Sequence, residues 1–167
     1  NSLWSKAVIR DIFACTDNSN SPNKKTIEKF LDELIHGSLL YRKIIKAEFE
    51  DFKLNNEIKD LNKVEAKPSY TYLLHIFSDE KIKYKNKKKL IKFLQIFMLR
   101  RQITRAQTGE LDDFFSKLCS YDTDNFQVSI KDELDSKTSD SEFFPSDERF
   151  ENAFSEYDFS ANRAKYV

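Results

Sequence analysis

The stretch KNKKKLIKFLQIFMLRRQIT, Lys85 to Thr104, decides the fold. After a lysine-rich entry it carries Leu90, Ile91, Phe93, Leu94, Ile96, Phe97, Met98 and Leu99. Wound as a helix, these residues are apolar on nearly every side, and such a helix belongs at the centre of a bundle rather than on its surface. Asn86 is a candidate cap, so the spacing predicts a central helix over about residues 87–104. It ends in the adjacent pair Arg100 and Arg101.

Working outward, the polar turn TRAQTGE follows, in which Thr108 can cap a further helix. Leu111, Phe114, Phe115 and Leu118 stand on one face of it, with Glu110, Asp112 and Asp113 in the first turn, where negative charge favours the helix dipole. The short connection predicts that these two helices pack as neighbours. Upstream, SYTYLLHIF reads as a compact buried helix, and NNEIKDLNKVEAKP as a short helix stopping before Pro68. Ile27, Phe30, Leu31, Leu34 and Ile35 follow helical spacing after a Ser21–Pro22 start, and the pattern resumes past Gly37 with Leu40, Ile44, Ala47 and Phe49. Gly37 marks a candidate kink or break. SLWSKAVIRDIFACT suggests a first helix, with Leu3, Trp4, Ala7, Val8 and Ile12 near helical spacing.

The chain has 167 residues, with only 2 Gly and 3 Pro for tight turns, so an all-α fold follows: an irregular bundle of about seven or eight helices around the central one. Three parts are expected. Residues 1–135 form the bundle, 136–145 are linker-like, and 146–167 form a C-terminal helical segment opened by the Ser146 cap. No apolar run approaches the roughly 20 residues that span a bilayer. Cys15 and Cys119 belong to no CxxC or CxH pair and read as free thiols of a cytoplasmic protein. Residues 1–109 carry 22 Lys+Arg against 13 Asp+Glu, a charge of +9, and residues 110–167 carry 6 against 15, a charge of −9. The net charge of zero therefore hides a division that can hold two parts of the chain together or give each its own partner.

No self-contained catalytic site emerges. GxGxxG, GxxxxGK[ST] and GxSxG are absent. His36 and His75 have no further His, Cys or Asp at metal-ligand spacing, so they read as structural and no metal or cofactor is expected in this chain. Asp32–Glu33, Asp112–Asp113 and Asp132–Glu133 fall beside apolar stripes, on the wet faces of helices rather than in a cleft that would shift their pKa values. Seven lysines between Lys81 and Lys92 could contact phosphates, with Lys83, Lys85, Lys87, Lys88 and Lys89 the candidates, or could simply keep an apolar segment soluble.

The arginine pair admits a catalytic, a terminal or a clamping role. Successive helical residues differ by about 100°, so the two cannot share a face. Arg100 lines up with Phe93 and Ile96, Arg101 with Leu90, Leu94 and Phe97. One is expected to make buried bonds to backbone carbonyls or a carboxylate, with Thr108 as part of the same polar tie, while the other meets water.

An ordered set of segments carries a resemblance: EIKDLNKVEAKPSYTYLLHIF, FMLRRQIT, TGELDDFFSKL, and FPSDERFENAF before NRAKYV. Together they resemble the helical region of GmrSD-type restriction endonucleases, a family joining a ParB-like nucleotide-binding domain to an HNH nuclease domain. The positions are Leu61–Asn62, Leu73–Leu74, Arg100–Arg101, Thr108, Leu111, Phe115 and Leu118. The likeness runs from roughly Glu57 to the C-terminus, weakly in its second half, and residues 1–50 match only in helical character. Neither the family's DGQQR motif nor an HNH motif occurs here, so neither activity carries over. The resemblance implies a non-catalytic module or fragment of a phage-defence protein. Its partners would be the flanking domains and its parent would use nucleotide and divalent metal to cleave modified DNA. The alternative is a stand-alone helical protein-protein interaction domain with weak DNA contact through the lysine cluster.

Overall fold

The structure, a computed structural model, describes residues 24–121, 123–137 and 143–157. Seven α-helices and two single 3-10 turns, at Lys67–Ser69 and Thr123–Asn125, make up the regular structure, with no strand among the described residues. In chain order the helices are α1 (Lys24–Lys46), α2 (Phe52–Lys63), α3 (Tyr70–Ser78), α4 (Tyr84–Ile103), α5 (Leu111–Leu118), α6 (Phe126–Ser136) and α7 (Asp147–Ser155). The expected helix in residues 1–15, the Ser21–Pro22 start and the segment from Ser160 onward lie outside the described residues.

The central helix is α4. Leu90, Ile91, Leu94 and Phe97 are fully enclosed, each such side chain contributing on the order of 1.5–3 kcal/mol by leaving water. Helix α2 packs along one side of α4 and α7 crosses it near its end, while α3 packs between α1 and α5, and α5 in turn supports α6. One strip of α4 remains open to solvent at Ile96, with Lys85, Lys89 and Lys92 on the same outer face. The helix begins earlier than the Asn86 cap implies: Lys83 is its N-cap residue, and Asn86 lies inside the first turn with its amide bonded to the Lys83 carbonyl.

Helix α1 runs through Gly37 without a break. A Cβ at Gly37 would meet nothing, so the glycine is tolerated there at a helix-propensity cost of about 1 kcal/mol. Neither glycine has a positive φ. The left-handed residues are Ala47, Glu65 and Arg105, with φ of 52°, 53° and 54°, each just past the end of a helix. At Arg105 the helix closes with Ala106 N–H on the Arg101 carbonyl at 2.9 Å and Arg105 N–H on the Gln102 carbonyl at 3.2 Å. That is the two-bond closure that usually recruits glycine.

The stretch expected to be linker-like is described at Ser136–Lys137 and at Phe143–Pro145. Ser136 ends α6, and Phe143 is a core residue, only 2 % exposed, with its ring 4.9 Å from Phe114 and 5.7 Å from Phe97.

Candidate functional site

The two arginines at the end of α4 reach the same C-terminal segment by different routes. Arg101 shares the inner face of α4 with Leu90, Leu94 and Phe97 and is 4 % exposed. Its Nη1 donates to the Phe143 carbonyl and its Nη2 to the Gln107 carbonyl, and its guanidinium stacks over the Phe143 ring at 4.8 Å. Arg100, half-buried, donates to the Pro145 carbonyl at 3.0 Å and pairs with Asp147 in the first turn of α7. Phe144 and Phe150 lie 5.6 and 5.2 Å from its guanidinium carbon. Both arginines are therefore engaged across the chain, rather than one of them pointing into water.

Thr108 does not join this tie. Its residue is exposed, its carbonyl accepts from Leu111 N–H at 3.1 Å, and α5 starts at Leu111 with no side-chain cap. The acceptor that the turn supplies to Arg101 is the Gln107 carbonyl. Beside Arg101 a cleft of about 250 Å³ opens between Val64 and Glu65 on one side and Gln102, Arg105 and Thr108 on the other. Gln102 Oε1 is buried there without a hydrogen-bond partner. Its lining carries one carboxylate, Glu65, and one hydroxyl, Thr108.

The lysine cluster divides by burial. Lys87 is corrected from a phosphate contact to a core residue: it is 7 % exposed, and its Nζ donates to the Asp79 carbonyl at 2.9 Å and the Phe77 carbonyl at 3.3 Å. It caps the C-terminal end of α3 from inside, where a cation suits the carbonyls left open. Burial lowers its ammonium pKa, against the pull of Asp79 and Glu80. Lys88 is held 2.7 Å from Asp51, the residue whose side chain also accepts Leu54 N–H at the start of α2. The Lys88 hydrogen bond first, then that backbone bond, hold the Asp51 carboxyl below its ordinary value. Lys83, Lys85 and Lys89 are exposed. Lys85, Lys89 and Lys92 border, with Lys53 of α2, a shallow groove of about 410 Å³. Glu57 lies in the same groove, 3.4 Å from Lys92 Nζ, and its charge opposes a phosphate placed there.

Other candidates are structural or exposed. His75 is half-buried with Nε2 3.4 Å from the Tyr121 carbonyl, and His36 is exposed on α1 rather than packed. Asp32, Glu33, Asp112, Asp113 and Asp132 are exposed. Glu133 is not: its side chain is buried, accepts the Tyr121 hydroxyl at 2.5 Å and pairs with Lys117 at 2.8 Å. Burial pushes its carboxyl up, but the bonds from Lys117 and Tyr121 outweigh this and leave it below the ordinary glutamate value. Burial also pushes the Cys119 thiol up to about 11, which suppresses the reactive thiolate. Among the described residues no group of three His, Cys, Asp or Glu side chains is placed to hold a metal, and no helix is long and apolar enough to cross a membrane.

The residues that carry the resemblance do structural work. Leu61, Leu73, Leu111, Phe115 and Leu118 are buried. Asn62 donates to the Ile44 and Ile45 carbonyls at 3.3 and 3.0 Å, closing the end of α1, and accepts the Tyr70 hydroxyl at 2.6 Å. The Leu61–Asn62 segment marked Asn62 in the sequence, whereas Glu133, read there as half of a wet-face pair with Asp132, is buried and takes its partners from α5 and the turn after it. The chain matches no protein-family model, no curated protein and no solved structure.

Proposed function

We propose that this chain is a non-catalytic α-helical module of a GmrSD-like, modification-dependent restriction protein, coupling a nucleotide-binding domain to a nuclease domain. The observation that carries the reading is the arginine clamp. Arg100 and Arg101, the most distinctive mark of the resemblance, join the end of the central helix to the segment that opens α7. In that family the corresponding acidic helix start stands ahead of the nuclease domain. A displacement of α7 pulls on both guanidinium groups, hence on α4 and on α2 packed along it, and packed rigid elements of this kind are able to link two sites.

Sequencing the gene on either side of this segment tests the reading. A DGQQR motif upstream and an HNH motif downstream are expected. In that full-length protein Arg100→Ala is expected to leave nucleotide hydrolysis near wild type while lowering nucleotide-dependent DNA cleavage by roughly tenfold. Stop codons at both ends, with no neighbouring genes of that type, overturn it, as does cleavage that Arg100→Ala leaves unchanged.

A further inference from the structure

Helix α1 carries an apolar face that points away from the bundle. Leu40, Ile44 and Ala47 turn inward, with Ile44 and Ala47 buried. Leu31, Leu34, Ile35, Tyr41 and Ile45, in contrast, are 38–57 % exposed. At about 100° per residue these five and Ser38 fall within a stripe roughly 120° wide, on the side away from Ile44. Its apolar positions are partly symmetric about Ser38, with Ile35 and Tyr41 three residues either side and Leu31 and Ile45 seven either side, while Leu34 is mirrored by Arg42 four either side. The small Ser38 at the centre, whose hydroxyl is already bonded to the Ile35 carbonyl at 2.8 Å, lets a second helix approach closely. Arg42 falls within the stripe, about 40° from Ser38, and along one flank Glu28 precedes Lys46. An antiparallel copy of the same helix would set acidic residues against basic ones at both ends.

We propose that this stripe binds the same stripe of a second copy of the chain, the two α1 helices running antiparallel about a two-fold axis at Ser38. A two-fold contact requires a surface complementary to itself, and the paired positions Ile35–Tyr41 and Leu31–Ile45, with Glu28 and Lys46 on one flank, meet that requirement. A parallel pairing would set Glu28 beside Glu28 and Lys46 beside Lys46. The proposal is independent of the restriction-module reading, since α1 lies outside the part of the chain that carries the resemblance.

Sedimentation velocity on the full chain, from about 1 to about 200 µM, tests it. A dimer is expected, and Leu34→Asp should convert it to a monomer whose circular dichroism stays helical. Glu28→Lys should raise the dimer Kd about tenfold, and adding Lys46→Glu should return it to within about twofold of wild type. That rescue belongs to the antiparallel arrangement alone. A monomer throughout the range overturns the proposal, as does a dimer that survives Leu34→Asp or shows no rescue. A monomer whose Trp4 fluorescence shifts on Leu34→Asp also overturns it, by identifying the chain's own first residues as the occupant.

Discussion

A guanidinium enclosed among phenylalanines is tolerable only when its donors are met, because an unpaired charge in an apolar interior costs far more than the bonds it forgoes. Arg101 meets two main-chain carbonyls, at Phe143 and Gln107, and the buried one at Phe143 loses its partner if the guanidinium is removed. Arg101→Met keeps the volume and deletes the donors, so we expect it to lower stability by about 3 kcal/mol, read from urea unfolding, a shift small enough to leave a folded protein to measure. Arg101→Lys should fall between the two, since a single ammonium cannot serve both carbonyls along the same fork. An unfolding midpoint unchanged by Arg101→Met would sink the clamp. The helical angle between Arg100 and Arg101 was readable from the sequence, and so was the company of Leu90, Leu94 and Phe97 on the inner side. The identity of the acceptors was not: Phe143 lies 42 residues further on, and a carbonyl has no residue signature. Lys87 shows the opposite difficulty. Set in a lysine run in which Lys83, Lys85 and Lys89 are exposed, it gave no local sign that its own turn of the helix faces the end of α3.

At the level of elements, the scarcity of glycine pointed to helices, and helices are what form. Their amphipathic stripes, their acidic first turns in α5 and α7, and the Ser146 cap, which accepts Arg149 N–H at 3.2 Å, follow from local patterns. Helix ends were harder to read, because Ala47, Glu65 and Arg105 take the left-handed conformation without the glycine that would announce it. The join between α5 and α6 was also hidden, since Glu133 looked like one half of an exposed acidic pair. With its folded carboxyl held below the ordinary value of 4.5, Glu133 contributes stability that is fully present above that value and lost as pH falls through the lowered one. Glu133→Gln should therefore melt below wild type near pH 7, and the gap should close on acidification towards about pH 3. A gap of constant size across that range would show that the carboxylate charge is not what ties α5 to α6.

For the whole molecule, ion pairs among the described residues form both within and between the basic and the acidic portion. Lys88–Asp51 and Lys92–Glu57 stay within the first, Lys117–Glu133 and Lys137–Glu110 within the second, while Arg100–Asp147 crosses between them. The C-terminal segment is joined to the rest by the two arginines and by Phe143, set between Phe97 and Phe114. A chain ended after Lys137 should accordingly lose at least about 3 kcal/mol in urea unfolding, and a peptide spanning residues 143–157, added in excess, should restore part of it. Equal stability of the shortened and full chains would refute that. Phe143 also sets an order on synthesis. The ribosome delivers the chain from its N-terminus, so α1 to α6 can begin to assemble while the slot between Phe97 and Phe114 is still empty and Arg101 lacks one of its two acceptors. The bundle is closed from its far end, by a residue that arrives after every helix lining its place.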